Sequence, residues 1–362
     1  MFTLYKFELK KILSQKYFQL ATLVMCLFII AVGITPIFTG GVPSKEDKEK
    51  ITNRYIDDEL ILEAKENEGR GVYQYIYDFI KYSTQSTEVE RYNAKEVYEK
   101  RLETIEKNKN NSYITDKEYE YWSNKEKEIK TPFIYYEDAS YRETLELIYM
   151  LSFVTVILCN IGIAGIFADE KYTGADQILF SSKYGKTKLF TAKILVALTI
   201  GVTVPLIIFS SLLAINLFAY GGGGYNTPLQ VHIPTSLYNI TIGDSMYYCL
   251  SKLIFNGIVC STFSTFLSRL TMKHQAAQAI SIIIMFISMV SIPEKFGIIS
   301  YIWHFLPATN IGAWMFEEYR MLNLFGLMLN DFIATPIVWT LASIVFVIIT
   351  KIKYKNYEVL GR

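Results

Sequence analysis

Six runs of apolar residues constrain this 362-residue chain more than any other feature, and they lie at about 17–39, 145–167, 189–219, 245–267, 275–292 and 332–350. Most are near or above the ~20 residues that a helix needs to cross the hydrocarbon core of a bilayer. Hydrophobic residues make up 51% of the chain and charged residues 20%, proportions that a large soluble protein also has, so their segregation decides the class. Within lipid every backbone polar group needs an internal partner. The expected fold is an all-α integral membrane protein with six transmembrane helices. The formal net charge of +1 gives no reason to expect a nucleic-acid partner. Cys26, Cys159, Cys249 and Cys260 all fall inside apolar runs, where an unpaired thiol behaves as a small hydrophobe, and no disulfide framework is expected.

Residues 1–16 mix Phe2, Leu4, Phe7, Leu9, Ile12 and Leu13 with Lys6, Lys10, Lys11 and Lys16, and Glu8 is their only acid. That mixture suits an interfacial helix in the headgroup layer. A cleaved signal peptide is the competing pattern. The run at 17–39 is long for a signal core and lacks a small-x-small site at its end, so it reads as the first span. The block 41–145 is polar and acidic, with 18 Lys/Arg against 24 Asp/Glu. Capping-box spacing at Ser44/Asp47, Thr87/Glu90 and Thr115/Glu118, with Gly69 and Gly71 as breaks, predicts about four helices. The Lys/Glu pairs read as solvated helix faces. The aromatic residues, among them Tyr73, Tyr75, Phe79, Trp122 and Phe133, fit a small helical core first; a membrane belt and a contact surface for an amphipathic substrate are the other readings.

In the second run, Asn160, Gly162 and Gly165 favour close helix approach and a hydrogen bond across an interface, which places that span at the centre of the bundle. These three are candidate path or interface residues. Pro205 predicts a kink in the third span. Gly221–Gly224 lack the Lys-Ser/Thr of a phosphate cradle and read as an outer loop. Lys252, inside the fourth run, either snorkels to the interface or contacts substrate. The stretch 296–330 is apolar but interrupted by Pro307, Asn310, Gly312, Glu317, Glu318, Arg320 and Asn323, which predicts two short re-entrant helices.

The connector from Phe167 to Lys193 carries more than a tether needs. Asp169 and Glu170 end an apolar run, Gly174 breaks the backbone, Gln177 to Phe180 form a short amphipathic piece, and Ser181 and Ser182 precede Lys183, Lys186, Lys188 and Lys193. That order resembles the first cytosolic loop of ABC exporter permeases of the second type, which usually have a proline and an arginine where this chain has Lys183, Tyr184, Gly185 and Lys186. The resemblance implies a coupling loop at 168–188 whose short helix docks on a separate ABC ATPase subunit, with Glu170, Gly174, Gln177, Leu179, Phe180 and Lys183 as coupling residues. It also implies a second permease, copy or paralogue, and ATP with its magnesium bound by the ATPase subunit rather than by this chain. A re-entrant pair before the last span is common to that family.

Orientation can be read independently of any family. Placing 1–16, 169–193, 268–275 and 351–362 in the cytosol collects 15 Lys/Arg there, and the short outer stretches keep Lys295 and Arg320. Positive-inside then puts both termini in the cytosol and the 41–145 domain outside. Catalytic chemistry is not expected. His232, His274 and His304 fall on opposite faces, and Gly185-Lys186-Thr187 has Phe180 where a phosphate loop needs glycine. No cofactor or metal is expected in this chain. The leading expectation is the permease subunit of an ABC exporter in a bacterial plasma membrane, moving an amphipathic peptide, antibiotic or lipid. A membrane sensor or immunity protein that binds a ligand without transport is the alternative. A lipid-modifying enzyme using Glu317, Glu318, Asp331 and His304 has no convergent set of groups to support it.

Overall fold

A computed structural model describes residues 1–38, 42–182, 185–290, 292–307, 311–324 and 326–356. Its helices are α1 (Phe2–Leu13), α2 (Lys16–Phe38), α3 (Lys45–Ile51), α4 (Asp58–Glu66), α5 (Gln74–Thr84), α6 (Ala94–Asn111), α7 (Asp116–Lys127), α8 (Ala139–Glu146), α9 (Ile148–Ile163), α10 (Ala168–Thr173), α11 (Ala175–Ser181), α12 (Phe190–Tyr220), α13 (Ile242–Thr271), α14 (His274–Ser288), α15 (Ile298–His304) and α16 (Asp331–Lys355). Two short antiparallel pairs accompany them, β1 (Arg54–Tyr55) with β2 (Ile134–Tyr135) and β3 (Leu322–Leu324) with β4 (Leu327–Leu329). The fold is thus mostly helical rather than all-α.

Among the described residues, five helical stretches have the length and apolarity to cross a membrane: Lys16–Phe38, Ile148–Thr173, Gly185–Tyr220, Ile242–Thr271 and Asp331–Lys355. The expected span at 275–292 is instead the 15-residue α14. At 1.5 Å per residue such a helix covers roughly 22 Å, short of a ~30 Å core. It stops where Ser288 Oγ donates to the carbonyls of Met285 and Pro307.

The bundle core is organised by α9 and by the crossing of α12 with α13. The Ile148–Thr173 stretch is 78% buried against 11% for α2, so the second span sits centrally and the first at the edge. Asn160 Nδ2 donates to Val156 O (2.8 Å) and its Oδ1 accepts from Ser281 of α14, which ties the two helices. Gly162 lies against the Phe18 ring of α2, whereas the atoms nearest a Cβ on Gly165 would be those of the Asp169 carboxylate. A closer helix approach than at these three residues lies elsewhere. A Cβ on Gly257 would lie 2.1 Å from Gly201 O, and one on Gly201 would lie 2.7 Å from Gly257 O, so α12 and α13 touch backbone to backbone. Gly257→Ala is expected to lower stability by about 1–3 kcal/mol, because the methyl can be admitted only by moving a helix. Thermal melting of the detergent-solubilised chain checks this.

The described residues of the block 41–145 form six α-helices, α3 to α8, rather than four. Ser44 caps α3 by accepting from Asp47 N, and Thr115 with Glu118 forms a complete capping box on α7. Thr87 caps nothing; α6 starts at Asn93, whose side chain and Glu96 bond reciprocally. Val72, Ile76, Phe79, Ile80, Phe133 and Tyr135 form the core of this domain. Trp122 joins a second cluster with Leu237 and Tyr319, and its Nε1 donates to Tyr319 O (2.5 Å). Met321 N donates to Glu118 Oε1 (2.6 Å) and Arg101 Nε to Pro234 O (2.6 Å). These bonds seat the polar domain on 231–241 and 313–324. Within 296–330 the described residues contain a single α-helix, α15, followed by a 3₁₀ turn at Ala313–Phe316 and the β3/β4 hairpin, so the expected helical pair is not formed. The polar residues that interrupt this stretch bond within it or to residues around 235, Glu317 to Thr235, Arg320 to Glu318 and Ser300, and Asn323 to the Gly326 N–H; Asn310 and Phe325 lie outside the described residues.

Candidate functional site

Gly174 adopts φ +71°, in the left-handed region that glycine enters without strain, and so separates α10 from α11. The corner has two faces. Outward, Tyr172 is 91% and Ile178 75% exposed, with Lys171, Thr173 and Gln177 exposed beside them. Inward, Glu170 is buried and meets Lys193 Nζ of α12 at 2.6 Å. Lys193 is fully buried, and its other bonds go to Glu8 of α1 (3.0 Å) and to Ile166 O (2.7 Å). Lys11 of α1 lies 3.7 Å from Glu170. Carboxylates and ammonium groups therefore alternate where α1, α10 and α12 meet.

The rest of the bundle is bonded to the same corner. Phe167 and Ala168 N–H groups donate to Ser268 Oγ of α13 (3.1 and 3.3 Å). Asp169 Oδ1 contacts His274 Nδ1 at the start of α14 (2.9 Å). Tyr354 of α16 donates its hydroxyl to Gly185 O (3.0 Å), and its ring lies 4.9 to 5.3 Å from those of Phe180, Phe167 and Phe190. A displacement of α10 and α11 consequently pulls on α1, α12, α13, α14 and α16.

The model of one family, described as ABC-2 family transporter protein, matches residues 42–352. The chain belongs to that family. No curated protein and no solved structure matches it. As an ABC-2 transporter protein with these apolar helices it is a membrane-embedded permease subunit, and the family generally works with an ABC ATPase.

Of the residues that the sequence singles out in the loop of this ABC-2 chain, Glu170 faces inward, Gly174 makes the corner, Gln177 is exposed, and Leu179 and Phe180 are half-buried. Lys183 lies outside the described residues. Tyr172 and Ile178 are the most exposed apolar groups among the loop's described residues; Ile178 lies in the amphipathic piece 177–180, and the signal for both is placement on the face opposite Glu170 and Phe180. A second buried network sits at the other end of the bundle. Lys252 does not snorkel: it is 1% exposed and pairs with Asp331 at the start of α16. Asp331 also accepts from Thr335 Oγ1 (2.6 Å) and contacts His304 Nε2 of α15 (3.1 Å). His304 Nδ1 lies 3.3 Å from Glu318, which accepts from Arg320 Nε (2.8 Å). Burial opposes the charge of Glu318, yet His304 and Arg320 hold its carboxyl below the usual range.

Proposed function

We propose that this chain is the permease subunit of an ATP-driven exporter of an amphipathic substrate, lying in a bacterial plasma membrane with both termini cytosolic and residues 41–145 outside. Six crossings then comprise α2, α9, α12, α13, α14 and α16, with α14 reaching the outer surface through the residues that follow it. The carrying observation is the two-faced corner at Gly174, exposed through Tyr172 and Ile178 and bonded inward to five helices. In this reading Tyr172 and Ile178 press into a groove of the ATPase subunit. Closure of two such subunits on ATP and magnesium moves α10 and α11, and the Glu170–Lys193–Glu8 linkage carries that displacement into α12 and α1. A second permease, copy or paralogue, completes the path. ATP drives the cycle only through different affinities for the inward and outward arrangements.

Ile178→Asp tests this. Because the side chain is 75% exposed, the variant is expected to melt like the wild type. It is expected to bind the ATPase subunit at least about tenfold more weakly, since a charge in an apolar contact costs an interface heavily. Co-purification from membranes that express both subunits reads this out, and a fully coupled complex of the variant would remove the corner from the mechanism. A membrane receptor that binds a ligand without transporting it is the alternative reading. ATP-dependent movement of substrate into vesicles that contain the purified complex separates the two readings.

A further inference from the structure

A cavity of about 820 Å³ lies between the polar domain and the membrane bundle, walled by α5, α8, residues 231–235 and Glu317. That is within the ~300–1,000 Å³ of ordinary ligand sites. Its lining carries the carboxyls of Asp78, Asp138, Glu143, Glu146 and Glu317 against two permanent cations, Lys81 and Arg142. His232 is pushed down to about 3 by burial and by Arg142, so it is neutral at physiological pH.

The acids are unequally matched. Asp138 pairs with Arg142 (3.3 Å). Glu143 has no ion pair or hydrogen bond through its carboxyl among the described residues, and burial raises its pKa. Glu146 has the neutral His232 at 3.8 Å, and Glu317 accepts from the Thr235 hydroxyl. Asp78 accepts from the Gln74 amide (2.9 Å), so four carboxyls, those of Asp78, Glu143, Glu146 and Glu317, face the space without a cation of their own among the described residues. One donor is also unmatched: Arg142 is 5% exposed, its guanidinium stacks 3.2 Å from the Tyr75 ring centre, and its Nη2 has no acceptor among the described residues. Phe79 and Tyr82 add apolar wall. An inorganic cation or simple amine satisfies the acids but leaves the guanidinium donor unmet, whereas a peptide supplies ammonium groups, a carbonyl oxygen and apolar side chains together.

We propose that this cavity binds a cationic amphipathic peptide, its basic groups facing Glu143, Glu146 and Glu317 and a backbone carbonyl accepting from Arg142 Nη2. As an assignment of the cargo it rests on the transporter reading above. The full chain in nanodiscs of zwitterionic phosphatidylcholine, with its ATPase subunit, is titrated with a labelled peptide of alternating lysine and leucine. Counterparts of alternating glutamate and leucine, and the polyamine spermine as competitor, complete the set; empty nanodiscs give the lipid background.

The lysine peptide is expected to bind at least about tenfold more tightly than the glutamate peptide, and the Glu143→Gln, Glu146→Gln, Glu317→Gln triple variant to lose about tenfold for the lysine peptide alone. Lys81→Glu, at an exposed rim position, is expected to strengthen lysine-peptide binding and does not depend on how the triple variant folds. Equal affinity for both peptides, no loss in a triple variant that melts like the wild type, or no gain from Lys81→Glu would overturn the proposal. Spermine that competes as well as the lysine peptide would overturn the peptide assignment. If the ATPase subunit still co-purifies and stays coupled while no peptide binds, the cargo assignment fails and the transporter reading stands; loss of both is a failure of that reading.

Discussion

Lys193→Met is expected to lower the melting temperature of the full chain more than either Glu8→Gln or Glu170→Gln, and to abolish coupling to the ATPase subunit. Lys193 is fully buried and is the group that compensates both Glu8 and Glu170. Its removal leaves two buried carboxylates facing one another, with only the partly exposed Lys11 near Glu170. Breaking a buried pair by deleting one partner typically costs about 3–5 kcal/mol. Removing one carboxylate is milder, because Lys193 keeps the other and the Ile166 carbonyl. A double variant, Lys193→Met with Glu170→Gln, is expected to melt above Lys193→Met alone, since one of the two stranded charges has gone. Wild-type melting of Lys193→Met would mean that the network is hydrated and that α1 is not held by it. Coupling is read separately, as stimulation of ATP hydrolysis in the reconstituted complex.

Glu170 shows where sequence reasoning reaches its limit. Its place at the end of an apolar run marks the loop correctly, but nothing local says that it faces inward, because its partners Glu8 and Lys193 come from two other helices. Features decided by neighbouring residues were legible. The apolar runs, the caps at Ser44 and Thr115 and the break at Gly174 depend on hydropathy or on groups a few residues apart. Those decided by distant contacts were not. The Gly201–Gly257 approach has no signature in either span, since single glycines are common in membrane helices. Thr87 has capping-box spacing as good as that of Asn93, and the choice between them falls to packing, which buries Val89. Likewise the β3/β4 hairpin forms where helices were expected, because the backbone of 319–321 is captured by Trp122 and Glu118 from the polar domain.

At the opposite end of the bundle, Asp331→Ala is expected to destabilise the chain as severely as Lys193→Met. Lys252 and Asp331 are each almost wholly enclosed, and Asp331 also gathers Thr335 and His304. The alanine variant removes the carboxylate that a buried Lys252 pairs with, and breaking such a pair typically costs about 3–5 kcal/mol. Lys252→Met strands the carboxylate, although His304 and Thr335 still bond to it, so its cost should be smaller. The double variant Lys252→Met, Asp331→Ala removes both charges and should recover much of the loss, because a buried pair replaced by apolar groups is often neutral in stability. A double-mutant cycle of melting in nanodiscs measures the coupling between them. If the double variant is folded and binds the ATPase subunit but moves no substrate, the pair acts in the transport cycle as well as in the fold. Such an outcome is physically reasonable, because the pair joins α13 to α16 and, through His304, Glu318 and Arg320, to the stretch on which the polar domain sits. Rearrangement of α13 against α16 during a cycle would have to break or carry this linkage, and so would alter the seat of the polar domain.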